Sequence, residues 1–236
     1  LTEWKGAKHT IAAHNGWARF VNYVTTDGYQ FCGHNPRTFT AYQVPDIIDI
    51  DQPQALEENS AHPVWCTFEV PQDAQPGLYK THLEVVNAET NKVVKRLSLK
   101  LRVNNRTLPT AHDQKFHVDF WQQPYAVSRQ AGVERWSQAH IDSLKPYLKL
   151  LARSGQKVVS AILFYEPWGD QSFDKFSPMV QTTKCSNGTW RYDYSVFDRW
   201  LEACQECGID KQINCFSMVP WDMSFRYYDE ALQRDV

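Results

Sequence analysis

The chain has 236 residues, enough for one large domain or two ordinary ones, and its composition is that of a globular protein able to bury a core. Its 25 Lys and Arg nearly balance 27 Asp and Glu, leaving a formal net charge of −2. Without a basic field, nucleic acid and anionic membranes are not expected partners. No apolar run approaches the roughly 18 residues of a membrane span.

Trp is more frequent than a core alone requires. Aromatic residues make up 14% of the chain and include nine Trp. A buried indole needs a partner for its N–H, whereas an indole at a strand end can stack on the flat C–H face of a sugar ring. Trp at strand ends are therefore candidates for sugar contact, and the others are expected to pack.

The cysteines leave the redox compartment open, because their spacing is neither that of a zinc site nor that of a dense disulfide scaffold. Cys204 and Cys207 form a C-x-x-C pair on the apolar face of a predicted helix. With no second pair to complete a tetrahedral site, packing is favoured over metal or redox chemistry. The six cysteines are Cys32, Cys66, Cys185, Cys204, Cys207 and Cys215.

Short strands separated by turn signals are predicted in the first half. Alternating apolar residues in the last of them are typical of a half-buried strand, and Pro76-Gly77 marks a turn. Short strands at intervals of about ten residues favour a β-sandwich. The predicted strands cover residues 17–24, 44–50, 65–70, 78–86 and 93–103.

A polar segment, 104–114, separates this region from a strand–helix pattern, so we predict domains at 1–108 and 109–236. Strands are predicted at 116–121, 158–165 and 213–219. A helix at 137–153 is expected to be kinked or split by Pro146. A second helix is expected to begin at a capping box formed by Ser195 and Asp198 and to end at Gly208.

This alternation predicts a β/α series, either doubly wound or a barrel. A complete eight-unit barrel takes about 250 residues. Because only about 120 residues follow the boundary, a barrel would be about half present. We therefore expect a piece of a longer polypeptide or one part of a nicked assembly, since an isolated half-barrel would expose sheet edges.

Each of the three predicted parallel strands is followed by a carboxylate and a Trp. In a barrel the active site lies at these carboxyl ends, and acids with aromatic platforms are typical of carbohydrate sites. The exits also contain Asp170, Ser217 and Asp222. The candidate substrate-binding residues are Asp119, Trp121, Tyr165, Glu166, Trp168, Asn214 and Trp221.

Plainer roles remain open for these residues. Each indole could simply pack, and each acid could cap a helix or form a salt bridge. The adjacent acids Asp229 and Glu230 suggest a hydrolytic pair, but a loop entering a helix, with acids in its first turn, is the favoured interpretation. His spacing shows no ligand pattern and no Gly-rich phosphate loop occurs, so no metal or cofactor is predicted.

Six motifs follow one another along the second half of the chain. They are Val118-Asp-Phe-Trp-Gln-Gln-Pro-Tyr-Ala-Val127, Leu144-Lys-Pro-Tyr-Leu148, Gly155-Gln-Lys-Val158, Tyr165-Glu-Pro-Trp-Gly169, Gly208-Ile-Asp-Lys-Gln-Ile-Asn214 and Met218-Val-Pro-Trp221. In these motifs and their order the second half resembles glycoside hydrolase family 123 and its relatives of unassigned function. Residues 71–79 are similar to the module that precedes such barrels.

The resemblance implies a β-sandwich followed by the first part of a (β/α)8 TIM-type barrel, here incomplete. It also implies an exo-acting β-N-acetylgalactosaminidase that uses substrate-assisted, retaining catalysis. In that mechanism an Asp orients the substrate's acetamide and the neighbouring Glu is the acid and then the base. The family's Asp-Glu pair ends a later strand, beyond residues 227–230, so no catalytic residue is assigned and this chain alone is expected to be inactive.

The implied partners are a glycan substrate and the missing barrel portion. The implied location is periplasmic or secreted, although the residues from Leu1 onward do not have the pattern of a signal peptide. The alternative function is a noncatalytic glycan-binding protein. A third interpretation is a sandwich interaction module with a structural α/β appendage.

Overall fold

The computed structural model describes residues 1–26, 41–49, 52–169, 171–216 and 218–236. Most of its regular structure is β-sheet, with few helices. The chain divides into two units, Leu1–Thr107 and Leu108–Val236. Positions Cys32, Asp170 and Ser217 and the predicted strand end at Ile50 lie outside the described residues.

Unit 1 (Leu1–Thr107) contains two antiparallel sheets, with strand orders β2-β1-β6-β7 and β4-β3-β5. All five strands predicted there are present with shifted ends, except that 93–103 matches at both ends. The elements are β1 (Trp4–Lys5), β2 (Thr10–Ile11), a 3-10 helix (Ala13–Asn15), β3 (Gly16–Thr26), β4 (Tyr42–Ile48), β5 (Val64–Phe68), β6 (Gly77–Val86) and β7 (Val93–Val103).

The core of unit 1 follows the two-residue period of β6, in which Tyr79, Thr81 and Leu83 are buried. Trp4 of β1 also lies in this core, and its ring contacts that of Phe68 in the other sheet at a centroid distance of 4.7 Å. One aromatic pair therefore joins the two sheets.

Unit 2 (Leu108–Val236) contains a parallel pair, β8–β11, and a mixed sheet of order β10-β9-β12-β13. Its elements are a 3-10 helix (Ala111–Asp113), α1 (Pro124–Ala131), α2 (Gln138–Arg153), β8 (Val158–Ile162), β9 (Gln181–Lys184), β10 (Trp190–Asp193), α3 (Ser195–Glu206), β11 (Gln212–Phe216), β12 (Tyr228–Asp229) and β13 (Arg234–Asp235).

The strand β8 is buried along its whole length, as its apolar run predicts. Val159 and Ala161 pack against α2 and α3, where Leu148 and Trp200 are buried. The alternation of a strand puts Ser160 and Ile162 on the opposite face. Because Ser160 pairs in register with Asn214, that face continues onto β11 and positions the side chains described below.

The expected first strand, 116–121, is wrong. Its backbone makes one isolated parallel bridge, between Val118 and Gln156. Beyond this bridge two side-chain amides replace a ladder: Gln156 Oε1 accepts from Phe120 N at 2.7 Å, and Gln122 Oε1 accepts from Ser160 N at 2.7 Å. These two glutamine side chains thus make the hydrogen bonds that the backbone of a neighbouring strand would otherwise make beside β8.

Of the two forms expected for the first long helix, kinked or split, the split form is wrong, since α2 is one helix with Pro146 inside it. Leu144 and Leu148, on either side of the proline, are buried in the core. Packing therefore holds the helix across the hydrogen bond that proline cannot make.

The predicted capping box of α3 is wrong as well. The N-cap is Tyr194, and no side-chain cap bond forms there. Asp193 Oδ1 instead accepts from the backbone N–H of Ser195 at 2.8 Å. Helix α1 and the β9–β10 hairpin were not predicted.

Candidate functional site

Three aromatic side chains cluster at the carboxyl ends of the parallel strands. The indoles of Trp121 and Trp168 are stacked, with centroids 5.3 Å apart and an interplanar angle of 15°. Phe216, at the end of β11, lies 5.0 Å from Trp121 and 5.9 Å from Trp168. We call Trp121 and Trp168 the indole pair. Trp121 is 61% exposed, so part of the pair faces solvent.

A polar pair precedes the aromatic cluster by two residues in both segments, Asp119 before Trp121 and Asn214 before Phe216. Asn214 Nδ2 donates to Asp119 Oδ2 at 3.0 Å, and Gln212 Nε2 donates to Asn214 Oδ1 at 2.6 Å. These bonds fix the carboxylate's orientation. Within the described part of the chain, Asp119 Oδ1 is buried without a hydrogen-bond partner, as is Ser160 Oγ. A buried carboxylate oxygen without a donor is costly.

Glu166 is buried, at 8% exposure, rather than open to a ligand. Its Oε1 accepts a hydrogen bond from the backbone N–H of Phe176. Its own N–H donates to Phe176 O at 3.1 Å. Its backbone is left-handed, with φ of 39°, an uncommon conformation for a residue other than glycine. The carboxylate closes the aromatic loop 166–177, which follows β8.

Helix α1 anchors the same loop. Arg129 Nε and Nη2 donate to the Asp174 carboxylate at 2.9 to 3.0 Å. The side chain of Gln123 donates to Asp174 O at 2.8 Å. The hydroxyl of Tyr125 donates to Ser177 O at 2.7 Å, and burial raises the pKa of Tyr125. That phenol therefore stays protonated and works as a tether.

The remaining candidates lie in the two other exit segments. The N–H of Trp221 donates to Pro167 O at 2.9 Å, which joins the segment after β11 to the segment after β8. The side chain of Trp221 is 63% exposed. The guanidinium of Arg226 lies 4.0 Å from the ring centroid of Tyr165. Tyr165 is therefore covered on one face by a cation.

The structure therefore pairs four of the seven candidates directly, as Asp119 with Asn214 and Trp121 with Trp168. Trp221 joins them through the backbone, Tyr165 is under Arg226, and Glu166 is internal. Sugar contact by each of these residues stays a prediction.

The carboxylate of Asp222 is hydrogen-bonded within its own segment of chain. Ser224 donates to it through its hydroxyl at 2.6 Å and its N–H at 3.2 Å, and these bonds lower the pKa of Asp222.

The adjacent acids Asp229 and Glu230 lie in a β-hairpin, so the helix expected after them is wrong. Asp229 Oδ1 accepts from the N–H groups of Ala231 and Leu232 at 2.9 and 3.1 Å. Burial raises the pKa of Asp229, but these bonds and Lys184 outweigh it and the net pKa is lowered. Glu230 pairs with Arg191 at 2.9 Å. Both carboxylates are thus occupied by turn and sheet contacts.

Two sequence models of the same family match the chain. The glycoside hydrolase 123 N-terminal domain matches residues 1–87, and the glycoside hydrolase 123 catalytic domain matches residues 121–235. The chain belongs to glycoside hydrolase family 123.

A solved family 123 glycoside hydrolase from Clostridium perfringens has the same fold over the whole chain. The TM-score is 0.88 at 26% sequence identity, covering 100% of this chain and 41% of the other. That structure was described for the details of glycolipid glycan hydrolysis. The present chain thus spans less than half the length of this family 123 relative. No curated protein matches the sequence.

Within this family 123 chain, three contributors to the site went unpredicted. Phe216 closes the aromatic cluster, Phe176 supports Trp168 from behind, and Gln122 links the Trp121 segment to β8. Phe216 ends an apolar strand beside the predicted exit residues, so its position could have identified it. The amide bonds of Gln122 depend on tertiary contacts that no local pattern encodes.

The described residues contain neither a metal-ligand cluster nor a membrane-spanning helix. No group of three or more His, Cys, Asp or Glu side chains is placed to hold a metal ion there. No helix within those ranges is long and apolar enough to cross a membrane. Burial raises the pKa of both Cys204 and Cys207, which suits thiols that pack.

Proposed function

We propose that this family 123 protein is an exo-acting β-N-acetylgalactosaminidase and that the present chain supplies one wall of its sugar site. The observation that carries the proposal is the indole pair beside Asp119 at the carboxyl ends of β8 and β11. An exposed indole face fits the apolar face of a pyranose, and a carboxylate oxygen without a donor fits a ring hydroxyl.

We further propose substrate-assisted, retaining catalysis, in which the substrate's acetamido oxygen attacks the anomeric carbon. A protein nucleophile is then unnecessary, which departs from the usual two-carboxylate scheme. The glycosidic oxygen receives its proton from a glutamic acid. We do not assign this acid to Glu230, or the orienting aspartate to Asp229, because both are held by hairpin contacts.

The same reasoning extends to fold and location. We propose a β-sandwich for residues 1–108, supported by the Trp4–Phe68 contact between the two sheets of unit 1. We propose the first part of a (β/α)8 barrel for residues 109–236, supported by the parallel β8–β11 pair and its α3 crossover. We propose a periplasmic or secreted location, which rests on the family resemblance.

The test is glycoside release by the full-length protein. Aryl N-acetyl-β-galactosaminide should be cleaved, and the corresponding β-glucosaminide and β-galactoside should be cleaved far more slowly. Progressive fluorination of the acetamide should slow release progressively, since it weakens the attacking oxygen. Cleavage of other aryl glycosides but not of the galactosaminide would reject the substrate assignment. Glycan binding without turnover of any glycoside would favour a noncatalytic glycan-binding protein.

We also propose that the chain ending at Val236 has no activity by itself. Turnover by a preparation of that intact mass would reject this and return attention to Asp229 and Glu230. In the full-length protein, Asp229→Asn and Glu230→Gln should leave kcat within a fewfold of wild type.

A further inference from the structure

The backbone at Glu166 is held in an unusual conformation by specific bonds. Its φ of 39° places a residue with a Cβ in the left-handed region, which persists only where the surroundings determine it. Its carbonyl accepts from Gly169 N at 3.2 Å, which closes a tight turn directly around Trp168. The path of the backbone into Trp168 is therefore set at residue 166.

The side chain of Glu166 adds a second constraint across ten residues of chain. The N–H of Phe176 donates to Glu166 Oε1, and the carbonyl of Phe176 accepts from Glu166 N at 3.1 Å. Both backbone polar groups of Phe176 are thus bonded to one residue. With Glu166 buried, these bonds are shielded from competing water.

Phe176 transmits this constraint to the indole pair. Its ring meets Trp168 edge-on, with centroids 5.2 Å apart and an interplanar angle of 82°. On its other side it meets Tyr125 edge-on at 5.7 Å. Trp168 is thereby confined between Phe176 and the stacked ring of Trp121. Displacing Phe176 would remove the support behind Trp168.

We propose that Glu166 is a positioning residue, whose carboxylate holds Phe176 so that Trp168 stays stacked on Trp121. The sequence offered Glu166 as a substrate ligand. The geometry instead gives its carboxylate a backbone partner, the N–H of Phe176. The inference deepens the proposed function, because the indole pair is the sugar platform there. The stacking itself can be measured without substrate.

A neutral amide at position 166 distinguishes a positioning role from substrate binding or proton transfer. Glu166→Gln keeps an oxygen that can accept from Phe176 N–H, so a positioning residue should tolerate it. A carboxylate that binds substrate or transfers a proton should not. In Glu166→Asn the side chain is one methylene shorter and no longer reaches the N–H of Phe176. Asn nevertheless tolerates the left-handed backbone. Glu166→Ala removes the acceptor and disfavours the backbone.

The experiment measures the exciton-coupled circular dichroism of the stacked indoles in the full-length protein. The signal of the pair is the difference between the wild-type spectrum and that of Trp121→Phe. We expect Glu166→Asn and Glu166→Ala to lose at least half of this difference and Glu166→Gln to retain it. The matched control is Asp229→Ala, which removes another buried carboxylate that accepts backbone N–H groups and should leave the difference unchanged.

Two outcomes would overturn the proposal: full retention of the indole signal in Glu166→Asn, or loss in Glu166→Gln equal to that in Glu166→Asn. If Glu166→Ala does not fold, Glu166→Asn decides. With aryl galactosaminide, Glu166→Asn should raise KM severalfold and Glu166→Gln should keep the wild-type KM. Absence of release by the wild-type protein would reject the proposed function, and the spectra would still decide the role of Glu166.

Discussion

Asn214 donates its side-chain amide to Asp119 across 95 positions of sequence, at 3.0 Å, and orients a carboxylate whose other oxygen is buried without a partner in the described structure. The bond joins the segment before α1 to the last parallel strand. It leaves one oxygen of Asp119, two residues before Trp121, without a hydrogen-bond donor in the described structure.

Replacing this acceptor should weaken sugar binding. We expect Asp119→Ala in the full-length protein to lower kcat/KM for aryl galactosaminide by roughly tenfold to a hundredfold, since a hydrogen bond to a charged group contributes about 1.5–3 kcal/mol. Asn214→Ala should cost less, because it loosens the carboxylate without removing it. Asp113→Ala, an exposed acid before α1, is the control. Unchanged kcat/KM in Asp119→Ala would contradict a role in the site.

Removing the exposed indole should act mainly on KM. Trp121→Ala should raise KM about twofold to tenfold, because stacking on an aromatic ring contributes about 0.5–1.5 kcal/mol beyond burial. Initial-rate kinetics on the full-length protein would measure it. Trp190→Ala, which removes a half-exposed indole from β10, is the matched control and should leave KM unchanged. Equal effects of the two substitutions would indicate loss of folding rather than of a sugar contact.

His140 should make stability depend on pH in the mildly acidic range. Its Nε2–H donates to Pro124 O at 3.0 Å, and its Nδ1 accepts from Trp136 N at 2.9 Å. The second bond requires the neutral ring, because a protonated Nδ1 cannot accept. Burial lowers the pKa of His140. In the unfolded chain the ring titrates near its ordinary pKa of about 6.5. Below that pH the unfolded state binds a proton that the folded state does not, so stability falls as pH falls.

Urea unfolding at pH 7.5 and pH 5.5 measures this dependence. The wild type should lose stability between the two. His140→Gln should be less stable at pH 7.5 but lose less on acidification. His82→Gln, at an exposed position, should keep the wild-type slope. An identical slope in His140→Gln would assign the dependence to other groups.

Gln122 should matter for stability more than a typical polar residue. It is 7% exposed, and its Oε1 satisfies the buried N–H of Ser160. Gln122→Ala leaves that N–H without a partner, at a cost of about 1–3 kcal/mol. Denaturant titration would measure the loss. Gln138→Ala, on the exposed first turn of α2, should change stability by less than about 0.5 kcal/mol.

The sequence predicted regular elements best where periodicity and burial agree. The strand over 93–103 matches at both ends, and the apolar run from Val158 gives a buried parallel strand. The parallel pairing with β11 follows from the strand–helix alternation. The predicted helix at Ser195 forms, although its cap differs.

The failures have physical causes. An apolar run at 116–121 looks like a strand locally, but the amides of Gln122 and Gln156 take the hydrogen bonds that a ladder would need. The Asn187-Gly188 dipeptide between β9 and β10 is a strong hairpin signal, so this hairpin could have been predicted from the sequence. Glu166 follows a strand as expected, but its left-handed backbone directs the carboxylate inward.

The long separation between Asp119 and Asn214 also bears on the order of events during refolding. A contact that closes a large loop costs chain entropy before the stabilising interactions have formed, so it forms after local helices and hairpins. In stopped-flow refolding, helical ellipticity should recover ahead of the indole signal. Newly synthesised chains would then pass through a helical species in which Trp121 and Trp168 are not yet stacked, and chaperones could bind this species.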